Sequence, residues 1–96
     1  MYLRVVRGRF DPSRADEVQT LTPELIAVVR QAPGFQHYYG AIDRASGQLI
    51  AVNSWDTQEQ AAYSRDAIGL GEIMSRLQAI GVQLEPPEVY EIIGQA

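Results

Sequence analysis

The run GFQHYYGAIDRASGQLIAVNSW, entered from Pro33-Gly34 and left at Asp56-Thr57, constrains the fold most. Its arms, Phe35–Ile42 and Leu49–Trp55, are rich in aromatic and β-branched residues and predict two strands. Between them Asp43–Gln48 is polar and contains Gly47, the composition of a turn. A hairpin this long needs further strands or helices to bury its apolar arms.

Upstream, Tyr2–Phe10 alternates and is followed by Asp11-Pro12, which predicts a strand. Tyr2, Arg4, Val6 and Phe10 fall on one face, and Leu3, Val5, Arg7 and Arg9 on the other. Ser13 is a candidate cap for a short helix to about Thr20. Thr22-Pro23-Glu24 reads as a fresh helix start, with Leu25, Val28, Val29 and Ala32 as its apolar stripe. The choice is one helix kinked at Pro23 or two helices that abut. Pro33-Gly34 ends that region.

Downstream, Thr57 and Gln60 have capping-box spacing, predicting a helix over Gln58–Ala67 broken by Gly69 and Gly71. Glu72–Ala79 carries Ile73, Met74, Leu77 and Ile80 at helical spacing, with Gly81 as the stop. Glu85-Pro86-Pro87 is an extended linker into a last strand, Glu88–Ile93. The order strand, helix, strand, strand, helix, strand is the split βαβ, or ferredoxin-like, pattern. It predicts an α+β domain over residues 1–96, with a four-stranded antiparallel sheet and helices on one face.

Helices on one face leave the other open, and an open face should alternate to polar. Here Phe35, His37, Tyr39 and Ala41 oppose Gln36, Tyr38 and Ile42, while Ile50 and Val52 oppose Leu49, Ala51 and Trp55. Both faces are apolar or aromatic, which predicts a homodimer with sheets packed face to face. A domain of 96 residues buries only roughly 60–65% of its unfolded surface and gains from such a partner.

The net charge of −4 argues against nucleic acid as a partner. No stretch approaches the ~18 apolar residues of a membrane span, so no membrane partner is expected. The segment MYLRVVRGRF lacks the apolar core of a signal peptide, which makes cytoplasmic the expected location. The chain has no cysteine and one histidine, so no metal cluster of familiar spacing is present in the sequence.

Pro33-Gly34-Phe35 entering the second strand, the apolar third strand ending at Trp55-Asp56, and the alanine-bearing helix start at Thr57–Ser64 resemble the antibiotic biosynthesis monooxygenase-like family, within the dimeric α+β barrel superfamily. The resemblance implies a dimeric barrel. It also implies one of several activities: cofactor-free oxygenation of polycyclic aromatics, quinol oxygenation, haem degradation, or a domain without catalysis. Some of the oxygenases use an Asn on strand three and a nearby Trp, which points to Asn53 and Trp55. The haem degraders ligate iron through a His on a helix, whereas the single His here, His37, lies on a strand.

Read as side chains, His37 is the candidate catalytic base, since histidine is the residue type that changes charge near neutral pH; the alternative is a hydrogen bond across the sheet or interface. Asn53 is the second catalytic candidate: buried unpaired in an apolar strand it would be costly, and its amide could hold a substrate oxygen. Trp55 and Tyr63 could stack on a flat ligand or belong to the core. Tyr38, Tyr39 and Tyr90 could line a cavity or a dimer interface. Arg7, sharing a face with Arg9, could bind an anion or pair with Glu88 or Glu91, and Arg65 is a further anion candidate. Taken with these candidates, the resemblance implies a small-molecule enzyme of the monooxygenase type on an aromatic or quinol substrate, needing no cofactor. A non-catalytic ligand-binding or assembly module and a haem binder are the alternatives.

Overall fold

A computed structural model describes all residues, 1–96. Five strands, β1 (Tyr2–Arg9), β2 (Phe35–Asp43), β3 (Gln48–Trp55), β4 (Gln83–Leu84) and β5 (Glu88–Glu91), form one antiparallel sheet. Three helices, α1 (Ala15–Val29), α2 (Gln58–Ala61) and α3 (Gly71–Ala79), complete the fold. The order across the sheet is β2-β3-β1, with both β4 and β5 beside β1. The expected fourth strand is therefore two short ones in a single lane. Leu84 pairs with Gly8 and Glu88 with Val5, and Pro86-Pro87 lies between. Proline has no N–H for the ladder, so the lane is interrupted there. The second piece ends at Glu91 rather than Ile93.

The two diagnostic motifs meet in space. Asp56 N–H donates to the Gly34 carbonyl at 2.9 Å, and Gln36 Nε2 donates to Asp56 Oδ1 at 2.7 Å. Phe35 meets Trp55 edge to face, with ring centroids 5.6 Å apart. Gly34 has φ +81°, and a Cβ there would lie 1.8 Å from Gln60 Oε1. Only glycine serves at this position. The same Gln60 completes the expected capping box with Thr57.

The structure decides or corrects four sequence readings. First, of the two alternatives at Pro23 the single helix holds, and α1 runs through it. Proline removes the N–H that would reach the Gln19 carbonyl, yet Val18, Leu21 and Val29 bury against the core on both sides of it and hold the helix together. Second, the cap is Asp11, not Ser13: Asp11 Oδ1 accepts from Ser13 N–H and Oγ–H and starts a 3-10 turn, Pro12–Arg14, ahead of α1. Third, α2 stops at Ala61 instead of Ala67. Arg4 Nη1 donates to the carbonyls of Ala61 and Tyr63 at 3.1 and 3.0 Å, engaging acceptors that a longer helix would use. Fourth, a bulge between Phe35 and His37 shifts the register of β2. Phe35 pairs with Trp55, and beyond the bulge Tyr38 pairs with Asn53. Phe35 therefore shares a face with Tyr38 and Ile42, not with His37, Tyr39 and Ala41.

The helices cover one face of the sheet. Phe10, Trp55, Leu70, Leu77, Val29 and Val82 are among the buried residues of the core between them. On the other face Val5 is buried, Ile50 and Val52 are half-buried, and Tyr39 is 71% exposed.

Candidate active site

Cross-strand register places three residues in each row on the covered face. Tyr38, Asn53 and Arg4 form one row; Gly40, Ala51 and Val6 the next; Ile42, Leu49 and Gly8 the third. The middle row is made of small side chains and forms the floor of a cavity of about 440 Å³. Val18, Thr22 and Pro23 of α1 and Met74 and Leu77 of α3 roof it. A Cβ on Gly40 would meet Thr22 Cγ2 at 3.5 Å and Tyr38 Cε1 at 3.6 Å, ordinary contact distances. A glycine in a strand interior weakens it, and here the missing side chain leaves space under the helix. The volume is within the range of small-molecule sites.

The first row makes one end of this apolar cavity polar. Trp55 Nε1 donates to Asn53 Oδ1 at 2.6 Å. That bond satisfies the indole of a residue 1% exposed and fixes which way the amide faces, so Asn53 offers its Nδ2 donors to the cavity it lines. Arg4 is 2% exposed. Its guanidinium lies 3.7 Å from the Tyr63 ring centroid and is bonded to the two carbonyls already described. Tyr63 also packs against Trp55, with centroids 5.1 Å apart. Arg65, two residues along the irregular segment that follows α2, lines the cavity too.

These groups perturb one another. Burial, aided by Tyr63, pushes the Tyr38 hydroxyl up to about 12, against the pull of Arg4 and Arg65. Burial also raises Tyr63, again opposed by the two arginines. Burial lowers Arg4, and Arg65 lowers it further. Both tyrosines therefore stay protonated and act as donors. No carboxylate lines the cavity. Its polar end holds hydrogen-bond donors and cationic side chains, the set that stabilises an oxyanion. No cluster of metal-ligating side chains occurs in the chain.

No protein-family model matches this sequence, and no curated protein is similar to it. Solved structures are. A proposed antibiotic biosynthesis monooxygenase from Deinococcus radiodurans superposes with TM-score 0.78 at 19% identity, over 100% of this chain and 95% of that one. SnoaB, a cofactor-independent oxygenase from Streptomyces nogalater, superposes with TM-score 0.73 at 15% identity, over 98% of this chain and 94% of that one. A dimeric ferredoxin-like protein from an uncultured marine organism gives TM-score 0.72 at 10% identity, over 100% and 98%. The chain has the ferredoxin-like fold of these proteins. At such identities the likeness establishes the fold, and the resemblance read from the sequence holds at that level.

Within this ferredoxin-like fold, the predicted site residues divide between the two faces. Asn53, Tyr38 and Tyr63 line the cavity, and Trp55 supports Asn53 from behind. His37, Tyr39, Tyr90 and Arg7 do not reach it. The bulge in β2 puts His37 and Tyr39 on the open face, where His37 pairs with Ser54 and Tyr39 with Val52. Arg7 forms an ion pair with Glu88, which also accepts from the Tyr90 hydroxyl, so the surface-pair alternative holds for Arg7. His37, the candidate base, therefore faces away from this cavity, on the opposite side of the sheet. Arg4 and Gly40 were missed. An arginine in phase with Tyr2, Val6 and Phe10, and a glycine inside an aromatic strand, were the signals available in the sequence.

Proposed function

We propose that this protein is a cofactor-independent oxygenase of an electron-rich aromatic or quinol, working as a homodimer. The carrying observation is the Trp55–Asn53 hydrogen bond, which orients a donor amide at the end of an apolar cavity. An anthrone illustrates the chemistry. Loss of a ring proton to water gives a delocalised oxyanion, held by the Asn53 Nδ2 and the Tyr38 and Tyr63 hydroxyls. The carbanionic carbon passes electrons to dioxygen. One oxygen atom becomes a ring carbonyl and the other leaves as water, with the substrate carbon supplying all the electrons. The site favours the substrate anion instead of supplying a base, so turnover rises with pH until the bound substrate is ionised. The likeness to SnoaB supports this reading through the fold.

The dimer is supported by the open face, where Tyr39 is 71% and Tyr90 50% exposed, and by the dimeric state of one protein of the same fold. No helix is long and apolar enough to cross a membrane.

Oxygen consumption with an anthrone and with menadiol tests the proposal. Protein-dependent uptake is expected. Asn53→Asp keeps an acceptor for Trp55 but removes the donors, and it lowers turnover by roughly 100-fold or more, the scale of losing one oxyanion-hole donor. Saturable binding without uptake makes the protein a ligand-binding module and refutes the oxygenase.

A further inference from the structure

The sequence has eight arginines and no lysine. Four of them, Arg7, Arg14, Arg44 and Arg76, are paired with carboxylates. Of the remaining four, Arg9 and Arg30 are exposed and solvated. The other two, Arg4 and Arg65, stand together at the polar end of the cavity. Arg4 leaves its Nε unpartnered, but its Nη1 bonds two carbonyls and its guanidinium lies over the Tyr63 ring. Arg65 has none of these compensations: its Nη2 is sealed from solvent without a hydrogen-bond partner, and no ion pair holds the guanidinium. A buried, unpartnered guanidinium N–H is a costly feature in a protein of net charge −4, where carboxylates are plentiful.

The position of Arg65 explains what would complete it. Beside the apolar cavity lies a more polar depression of about 790 Å³. Tyr63 and Arg65 belong to the walls of both, so they stand where the two meet. Ser64, Gln78 and Gln83 border the polar side, as does Asp66, which makes no ion pair with Arg65. Arg65 is on the irregular segment between α2 and α3 and borders both spaces.

We propose that the ligand is an aromatic carboxylic acid, its ring system in the apolar cavity and its carboxylate on Arg65 at the junction. This rests on the cavity being the substrate site, and it adds the substrate class. An ionised carboxylate supplies the missing counter-charge and meets the planar guanidinium fork in the geometry arginine prefers. A doubly charged phosphate fits less well, because Asp66 borders the same depression.

Calorimetric titration with 2-naphthoate and its neutral isostere 2-naphthamide tests the assignment at neutral pH and low salt. The acid is expected to bind at least about tenfold tighter, the scale of one hydrogen bond to a charged group, and added salt narrows the gap. Arg65→Gln removes the preference while the amide binds as before, which shows that the cavity is intact. Arg65→Lys retains part of the preference. Equal affinity for both ligands, or a preference that survives Arg65→Gln, overturns the assignment. Binding of the amide but not the acid overturns it and leaves the cavity reading standing. Binding of neither overturns both.

Discussion

On the helix-covered face, Tyr38 stands in a row with Asn53 and Arg4 and is pushed up to about 12 by burial. One residue further on, Tyr39 is 71% exposed on the open face, opposite Val52. The two residues have the same side chain on the same strand, yet the period of two gives them opposite environments. The covered face has a cavity, fixed donors and cations without counter-ions. The open face has apolar side chains and a solvated Arg7–Glu88–Tyr90 network. The proposed function puts chemistry on the first and assembly on the second, so substitutions on each face should fail in different ways.

The largest expected effect lies on the open face. Val52→Asp places an unpaired charge in the proposed interface and shifts the protein to monomer in sedimentation. The dissociation constant rises by roughly 100-fold or more, since an uncompensated buried charge costs several kcal/mol. On the covered face, Gly40→Leu fills the space beneath Thr22 and lowers affinity for menadione by roughly 10–100-fold, the 1–3 kcal/mol scale of overpacking. The dimer is unaffected, and fluorescence titration with sedimentation reads both quantities. A third effect concerns Tyr38. Tyr38 in the folded state holds its proton above the unfolded value, so its contribution is fully present below about pH 10 and is lost as pH rises through about 12. Alkaline denaturation should steepen over that window, and Tyr38→Phe should flatten it. The smallest effect is at His37. Losing a true general base costs roughly 100-fold or more, whereas His37→Ala should leave oxygen uptake within about twofold.

Much of the fold was legible because its signals are local. Alternation marked the hairpin, and the Thr57–Gln60 spacing marked a capping box that the structure contains. The ferredoxin-like order followed from element type alone. The assignment of residues to faces failed where one backbone irregularity intervened: the bulge before His37 inverts everything upstream of it in β2. Period-two reasoning cannot locate a bulge, and so Phe35 was grouped with His37, Tyr39 and Ala41 when it shares the face of Tyr38 and Ile42. The length of α2 was illegible for a different reason. Its end depends on Arg4, 57 residues away in sequence from Ala61, whose carbonyl it binds. Asn53 and Trp55 were singled out by the family resemblance and by the cost of a polar side chain in an apolar strand. Their bond to each other was not legible.

The central claim is that the ligand lies between sheet and helices. A crystal structure of the protein with menadione or 2-naphthoate tests it most directly. The account predicts density on the Gly40–Ala51 floor beneath Pro23 and Met74, with an oxygen within hydrogen-bond distance of Asn53 Nδ2. Density against Tyr39 and Val52 on the open face, with the covered cavity closed, would contradict it.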